Sequence, residues 1–194
     1  MKEELTRQSI QLFERKGFNS TSVQDIVDSL GVTKGTFYYY FTSKETLLMD
    51  IHLSYIDDLL SRQQKVLNSN ASCGKQLAEI VEMLINDIQT QGSNVRVYFR
   101  EMRHLSEENS RVIKDKRRLF HLTIEQIIKE GIEKKEFREN LKPKMTTFAI
   151  LGVTNWSYEW FDPSGNISPK ELATMYMDFI LHGIDIGGMN DECE

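Results

Sequence analysis

The feature that most constrains the fold is the punctuation of the first 59 residues. Four apolar stripes at helical spacing follow one another there, each bounded by a residue type that starts or stops a helix. The first stripe, Leu5, Ile10, Leu12 and Phe13, predicts a helix over about Glu3 to Lys16 that stops at Gly17, because a residue without Cβ adopts the left-handed helix-end conformation at no steric cost. The second, Val23, Ile26, Val27 and Leu30, falls at i, i+3, i+4 and i+7. It is predicted to open on a Thr21/Gln24 capping box and to end at Gly31. Thr33 is the expected N-cap of a short third helix in which Phe37 and Phe41 share one face. Thr42 with Glu45 reads as a further capping box, ahead of a long helix carrying Leu47, Leu48, Ile51, Tyr55 and Leu59.

Two short helices joined by a tight turn, the second of them polar on its outer side, follow the helix-turn-helix plan. The segment "GVTKGTFYYYFTSKE" then becomes intelligible. With Phe37 and Phe41 turned inward, Lys34, Thr36, Tyr38 and Tyr39 are left outside, where hydroxyls and an ammonium suit phosphates and base edges. Gly35 permits close approach of the backbone, and the helix starts at Ser22 and Thr33 offer N–H groups to phosphate. Charge gives this reading little general help. The net charge is −5, and residues 1 to 50 hold Lys2, Arg7, Arg15, Lys16, Lys34 and Lys44 against Glu3, Glu4, Glu14, Asp25, Asp28, Glu45 and Asp50. Any basic patch is therefore local, centred on Lys34 and Lys44.

The stretch "LFERKGFNSTSVQDIVDSLGVTKGTFYYYFTSKETLL" resembles the DNA-binding region of the TetR family of bacterial transcriptional regulators. It carries the F-x-x-x-G-[FY] helix end, the T-[ST]-V start, the G-V-[ST]-x-G-T-[FL]-Y-x-[YH]-F recognition helix and the S-K-E start of the next helix. The resemblance implies that Thr33, Lys34, Gly35, Thr36, Tyr38 and Tyr39 contact an operator, while Ser22 and Lys44 clamp phosphates. Tyr40 stands where many members have histidine.

Beyond Leu60 the helical patterns lengthen. "NSNASCG" reads as a polar linker, followed by helices over Lys75 to Gln91, Asn94 to Leu105 and Ser106 to about Lys135. "LKPKMTTFAILGVTNWSYEWF" begins another at a proline, and Ser168, Pro169 and Glu171 supply the N-cap, N1 and N3 of the last. The whole is predicted to be all-α with about nine helices: a three-helix helix-turn-helix domain over 1–59, with its motif at 22–41, and a ligand-binding and dimerisation domain over 60–194. The apolar helices holding Ala149 to Trp160 and Leu172 to Gly183 are expected to pair with their copies in a four-helix homodimer, the arrangement that the resemblance also implies. A two-fold dimer suits a palindromic double-stranded operator, since it can place two recognition helices in successive major grooves.

No catalytic signature is present: there is no G-x-S-x-G, P-loop or dinucleotide fingerprint, and Cys73 and Cys193 form no framework. Glu101 and His104 give one E-x-x-H pair, whereas a di-iron bundle needs two. The chain is not read as an enzyme, and no cofactor or metal is expected. No apolar run approaches the roughly 20 residues of a membrane span, so the expected location is cytoplasmic, with no membrane partner.

The predicted function is that of a sequence-specific DNA-binding regulator, a repressor released from its operator by a small apolar or amphipathic effector. A ligand-independent architectural dimer and a metal-binding helical bundle are the alternatives. For the effector, Arg96, Arg100 and Arg103 recur at i, i+4 and i+7 beside apolar residues. "YFREMRHLSEE" and "NWSYEWFDPSGNISPKEL" further resemble TetR regulators of fatty-acid and sterol breakdown that respond to acyl-coenzyme A thioesters. By that resemblance Arg100 and Arg103 pair with phosphate or carboxylate, and Phe99, Met102, Trp156 and Trp160 line an apolar tunnel.

Overall fold

The structure is a computed structural model and describes residues 1–184; Cys193 and the end of the predicted second domain lie outside the described residues. The helices are α1 (Lys2–Lys16), α2 (Val23–Asp28), α3 (Lys34–Tyr40), α4 (Lys44–Leu67), α5 (Cys73–Arg100), α6 (Glu107–Glu133), α7 (Pro143–Trp160) and α8 (Pro169–Ile184), with a 3-10 turn at Met102–His104. The described residues thus hold eight α-helices rather than about nine. The predicted fifth and sixth helices are continuous through α5, bent where Gln91 takes φ −145° and ψ 38°. Gly92 does not terminate a helix because the chain resumes helical geometry immediately after the bend.

Two compact units make up the fold. The first is Met1–Leu59 with Gln91–Arg117, and the second is Leu60–Thr90 with the described residues from Arg118 on. The predicted boundary near residue 59 thus marks only one of the divisions, since residues 91–117 pack with the N-terminal helices. In the first unit Leu5, Phe13, Ile26, Val27, Phe37, Leu47 and Leu48 are wholly buried. Each such side chain stabilises the fold by about 1.5–3 kcal/mol relative to exposure.

The starts of α2 and α4 fall one residue later than the sequence predicts. In α2 the capping box is Ser22 with Asp25: Asp25 N donates to Ser22 Oγ at 3.1 Å and Ser22 N to Asp25 Oδ2 at 2.7 Å. Thr21 is buried instead, its hydroxyl donating to Gly17 O at 2.9 Å, so it seals the end of α1. Ahead of α4, Ser43 rather than Thr42 accepts from Thr46 N, at 3.0 Å. Glu45 is then free to reach a different helix.

The second unit has its core in Leu77, Ile80, Ile85, Ile124, Ile128, Phe137, Ile150, Leu151 and Leu172. α6 ends in a turn where Lys135 adopts φ 61° and the N–H groups of Glu136 and Phe137 both reach Gly131 O, at 2.8 and 3.1 Å. That turn lays the Phe137 ring over Gly131, where an added Cβ would come within 2.2 Å of it. α7 begins at Pro143, and α8 on the expected Ser168/Glu171 box, with Ser168 N to Glu171 Oε2 at 2.8 Å and Glu171 N to Ser168 Oγ at 3.2 Å. Ser157 and Tyr176 join α7 to α8 at 2.8 Å. The other sides of these two helices carry exposed Met145, Phe148, Trp156, Trp160, Met175 and Phe179.

Candidate functional site

α3 is placed by the turn before it. Gly31 takes φ 64°, which lets Val32 N return to Val27 O at 3.0 Å. Thr33 then caps α3 through its hydroxyl, which accepts from Thr36 N at 3.3 Å. Phe37 is 0% exposed, and the opposite side of the helix presents Tyr38 at 53% and Tyr39 at 81% beside exposed Lys34 and Gly35. The Tyr38 ring meets the Phe37 ring edge-on at 5.4 Å, so its direction is set by the core. A Cβ on Gly35 would touch only Thr33 Oγ1, at 3.5 Å. Nothing within the described residues requires glycine there.

Two of the residues nominated as phosphate clamps are committed internally. Ser22 Oγ donates to Asp25 Oδ2 at 2.6 Å, and the bonds from Ser22 hold the Asp25 carboxyl down at about 2. Lys44 Nζ donates to Phe18 O at 2.6 Å and Thr21 O at 2.5 Å and stands 4.2 Å from the centre of the Phe18 ring. Burial lowers its pKa below the usual lysine value. Lys44 thereby ties the α1–α2 turn to the start of α4.

The nominated effector residues divide between the units. Phe99 and Met102 are half-buried in the first, and Arg100 and Arg103 are exposed there. The expected arginine stripe is broken, since α5 ends at Arg100 and Arg103 sits in the 3-10 turn. Arg96 is held by Glu14, its Nε donating to Glu14 Oε1 at 2.5 Å. Arg103 instead borders a cavity of about 360 Å³ with Met102, Leu105, Glu107, Ser110, Arg111 and Lys114. Trp156 and Trp160, in the second unit, are 62% and 52% exposed. They do not line a tunnel: α7 is apolar on most sides, and its core-facing side is taken by Ile150, Leu151, Thr154 and Ser157.

Beside Met102 lies a partly buried guanidinium. Arg117 Nη1 is 3.4 Å from Met102 Sδ, and its guanidinium is 5.8 Å from the ring centres of both Tyr98 and Phe99. Burial pushes the Tyr98 phenol up to about 12 and holds His52 below its usual value, while His52 Nδ1 bonds Leu48 O at 2.9 Å.

Residues 5–51 match the family described as bacterial regulatory proteins, tetR family, and residues 70–184 match the tetracyclin repressor-like C-terminal domain. The chain belongs to the TetR family. It is 26% identical over 175 residues to the HTH-type transcriptional repressor KstR2 of Rhodococcus jostii (strain RHA1), covering 89% of this chain and 85% of that protein. The solved structure of the ketosteroid transcriptional regulator KstR2 of Mycobacterium tuberculosis superposes with a TM-score of 0.88 at 25% identity, over 95% of this chain and 94% of the other. AibR, solved in complex with isovaleryl coenzyme A and operator DNA, shares the fold with a TM-score of 0.84 at 20% identity, over 92% and 96% of the two chains.

Arg111 and Lys114 of this TetR regulator escaped the sequence reading, although they lie one helical turn apart on the helix after Arg103. The signal was the i, i+3 spacing of two cations across a break, which no single-helix pattern captures. Among the described residues, no group of three His, Cys, Asp or Glu side chains is placed to hold a metal, and no helix is long and apolar enough to cross a membrane. Glu101 Oε2 and His104 Nε2 lie 3.3 Å apart, and His104 stacks on Phe18 at 5.4 Å. The E-x-x-H pair thus serves packing.

Proposed function

We propose that this TetR regulator is a dimeric repressor that leaves a palindromic operator when an acyl-coenzyme A thioester binds. Thr33, Lys34, Gly35, Thr36, Tyr38 and Tyr39 read the DNA, while Ser22 and Lys44 act by fixing the helix starts that present them. The observation that carries the effector half of the reading is the cation-rimmed cavity. Arg103, Arg111 and Lys114 can pair with phosphates, and Met102 and Leu105 give it an apolar floor. The likeness to AibR, solved in complex with isovaleryl coenzyme A and operator DNA, supports the same class.

The cavity wall also lies beside the lever. Glu107, Ser110, Arg111 and Lys114 are on the first turns of α6, and Glu45, on the first turn of α4, holds Ser106 and Asn109 just before and within them. A thioester that draws α6 toward its phosphates strains this attachment and so shifts α4, next to the recognition helix. A differential affinity of about 100-fold between the two states moves the equilibrium by about 2.7 kcal/mol. Residues 1–59 form the DNA head and the remainder serves sensing and dimerisation, with residues 91–117 as the part that reports to the head. The dimer forms through the exposed apolar sides of α7 and α8, too extensive to be left in water.

The test is a gel-shift assay with DNA from upstream of the protein's own gene, titrated with acyl-coenzyme A thioesters of increasing chain length. The reading requires release at some chain length, with free coenzyme A far less effective. Release by none of the series would remove the thioester from the account.

A further inference from the structure

Tyr40 closes α3 between two very different neighbours. Phe41, which follows it, is 2% exposed and takes φ −135° and ψ 124°, with its N–H donating to Phe37 O at 3.0 Å. Tyr39, which precedes it, is 81% exposed. At 3.6 residues per turn each step advances about 100° around the axis, so Tyr39 stands about 160° from the buried Phe37 and Tyr40 only about 60°. Tyr39 is therefore the outermost ring of the helix, while Tyr40, at 38% exposed, lies toward the protein side. Residues adjacent in sequence do not ordinarily meet on a helix surface. These two meet at the helix end: their ring centres are 4.9 Å apart and their planes cross at 89°. That is the edge-to-face geometry, in which the positive edge of one ring faces the negative face of the other.

We infer that Tyr40 is a positioning residue for DNA reading: its ring holds the Tyr39 ring in the direction in which Tyr39 meets the operator. An exposed phenol otherwise turns among its rotamers, and the DNA would have to freeze it on binding. The two outward tyrosines are thus steered differently. Tyr38 leans edge-on against Phe37, a core residue, whereas Tyr39 leans on a ring outside the core. The fixed end of that second pair is the backbone of Tyr40, pinned by the buried Phe41 next to it. The Tyr40 ring suffices for this task, and its hydroxyl takes no part. Replacement of Tyr40 therefore acts on DNA binding through Tyr39 alone. The inference rests on α3 being the helix that contacts DNA.

The test is the affinity of the full-length protein for a labelled operator duplex at several salt concentrations, in Tyr40→Phe, Tyr40→Ala, Tyr39→Ala and the Tyr39→Ala/Tyr40→Ala double variant. Tyr40→Phe keeps the ring and should bind as wild type does. Tyr40→Ala should bind about two- to tenfold more weakly, the range that an edge-to-face pair supports, with an unchanged salt slope because no phosphate contact is lost. In the Tyr39→Ala background Tyr40→Ala should add nothing. A loss caused by a damaged fold would instead appear in both backgrounds alike. The inference is overturned if Tyr40→Ala binds as wild type, or if its loss persists undiminished without Tyr39. It is overturned equally if Tyr40→Phe binds more weakly with a salt slope lower by about one, which would make Tyr40 itself a phosphate contact. Lys34→Ala keeps the two readings apart. If it weakens binding while Tyr40→Ala does not, this inference alone falls; if Lys34→Ala, Tyr38→Phe and Tyr39→Ala all bind as wild type, α3 itself is not the reading helix and the inference falls with it.

Discussion

The carboxylate of Glu45 accepts the backbone N–H of Ser106 at 2.8 Å, so that a side chain of α4 caps the start of α6. Its Oε1 also takes Asn109 Nδ2 at 2.9 Å. These bonds, that from Ser106 first, hold the Glu45 carboxyl below its usual range. Glu45→Ala should cost about 0.5–2 kcal/mol, as the loss of a helix cap does. A depressed carboxylate pKa stabilises the fold above the unfolded value and loses that contribution as pH falls through the folded one. The difference in denaturant midpoint between wild type and Glu45→Gln should therefore be full at pH 7 and shrink below about pH 4. A difference independent of pH would show that the charge of Glu45 has no part in the link.

The recognition helix can be tested without disturbing its core side. Tyr38→Phe keeps the ring against Phe37 and removes only the hydroxyl, so operator affinity should fall while the melting temperature holds. Lys34→Ala should lower the slope of log affinity against log salt by about one. Unchanged DNA binding in both variants would place the reading surface elsewhere.

Much of this head is legible in the sequence because its signals are local. Gly17, Gly31 and Thr33 each act within a few residues of themselves, and the Phe37/Phe41 pair follows from helical spacing. The caps at Ser22 and Ser43 were missed by one residue because adjacent Thr and Ser offer the same hydroxyl, and only the buried position of Thr21 separates them. Lys44 looks like a surface cation until the chain folds the carbonyls of Phe18 and Thr21 onto it. α7 is the hardest case: with apolar residues on most sides, the outward direction of Trp156 is decided by what packs opposite.

That outward side predicts the assembly. Trp156→Asp places a charge on a surface already exposed in the single chain, so the protomer should stay folded, with a change within about 0.5 kcal/mol. Light scattering should report a dimer for wild type at micromolar concentration and a monomer for the variant, because an unpaired charge resists desolvation at an interface. A wild-type monomer would contradict the proposed bundle.

Gly131 offers a test of packing in the second unit. Its replacement by alanine drives a Cβ into the Phe137 ring and should cost about 1–3 kcal/mol, as overpacking does. Combined with Phe137→Leu the two changes should be less than additive, because the smaller side chain vacates the space. Strict additivity of the melting shifts would show that the clash is relieved by another route.

The central claim is that charge at the start of α6 senses a thioester and releases the operator. The direct measurement is fluorescence anisotropy of a labelled operator duplex, titrated with the most effective acyl-coenzyme A, for wild type and for an Arg103→Ala/Arg111→Ala variant. If the account holds, both proteins bind the duplex alike without effector, and the variant needs at least about tenfold more thioester for half-release. Equal half-release concentrations, with equal affinity for the duplex, would contradict it.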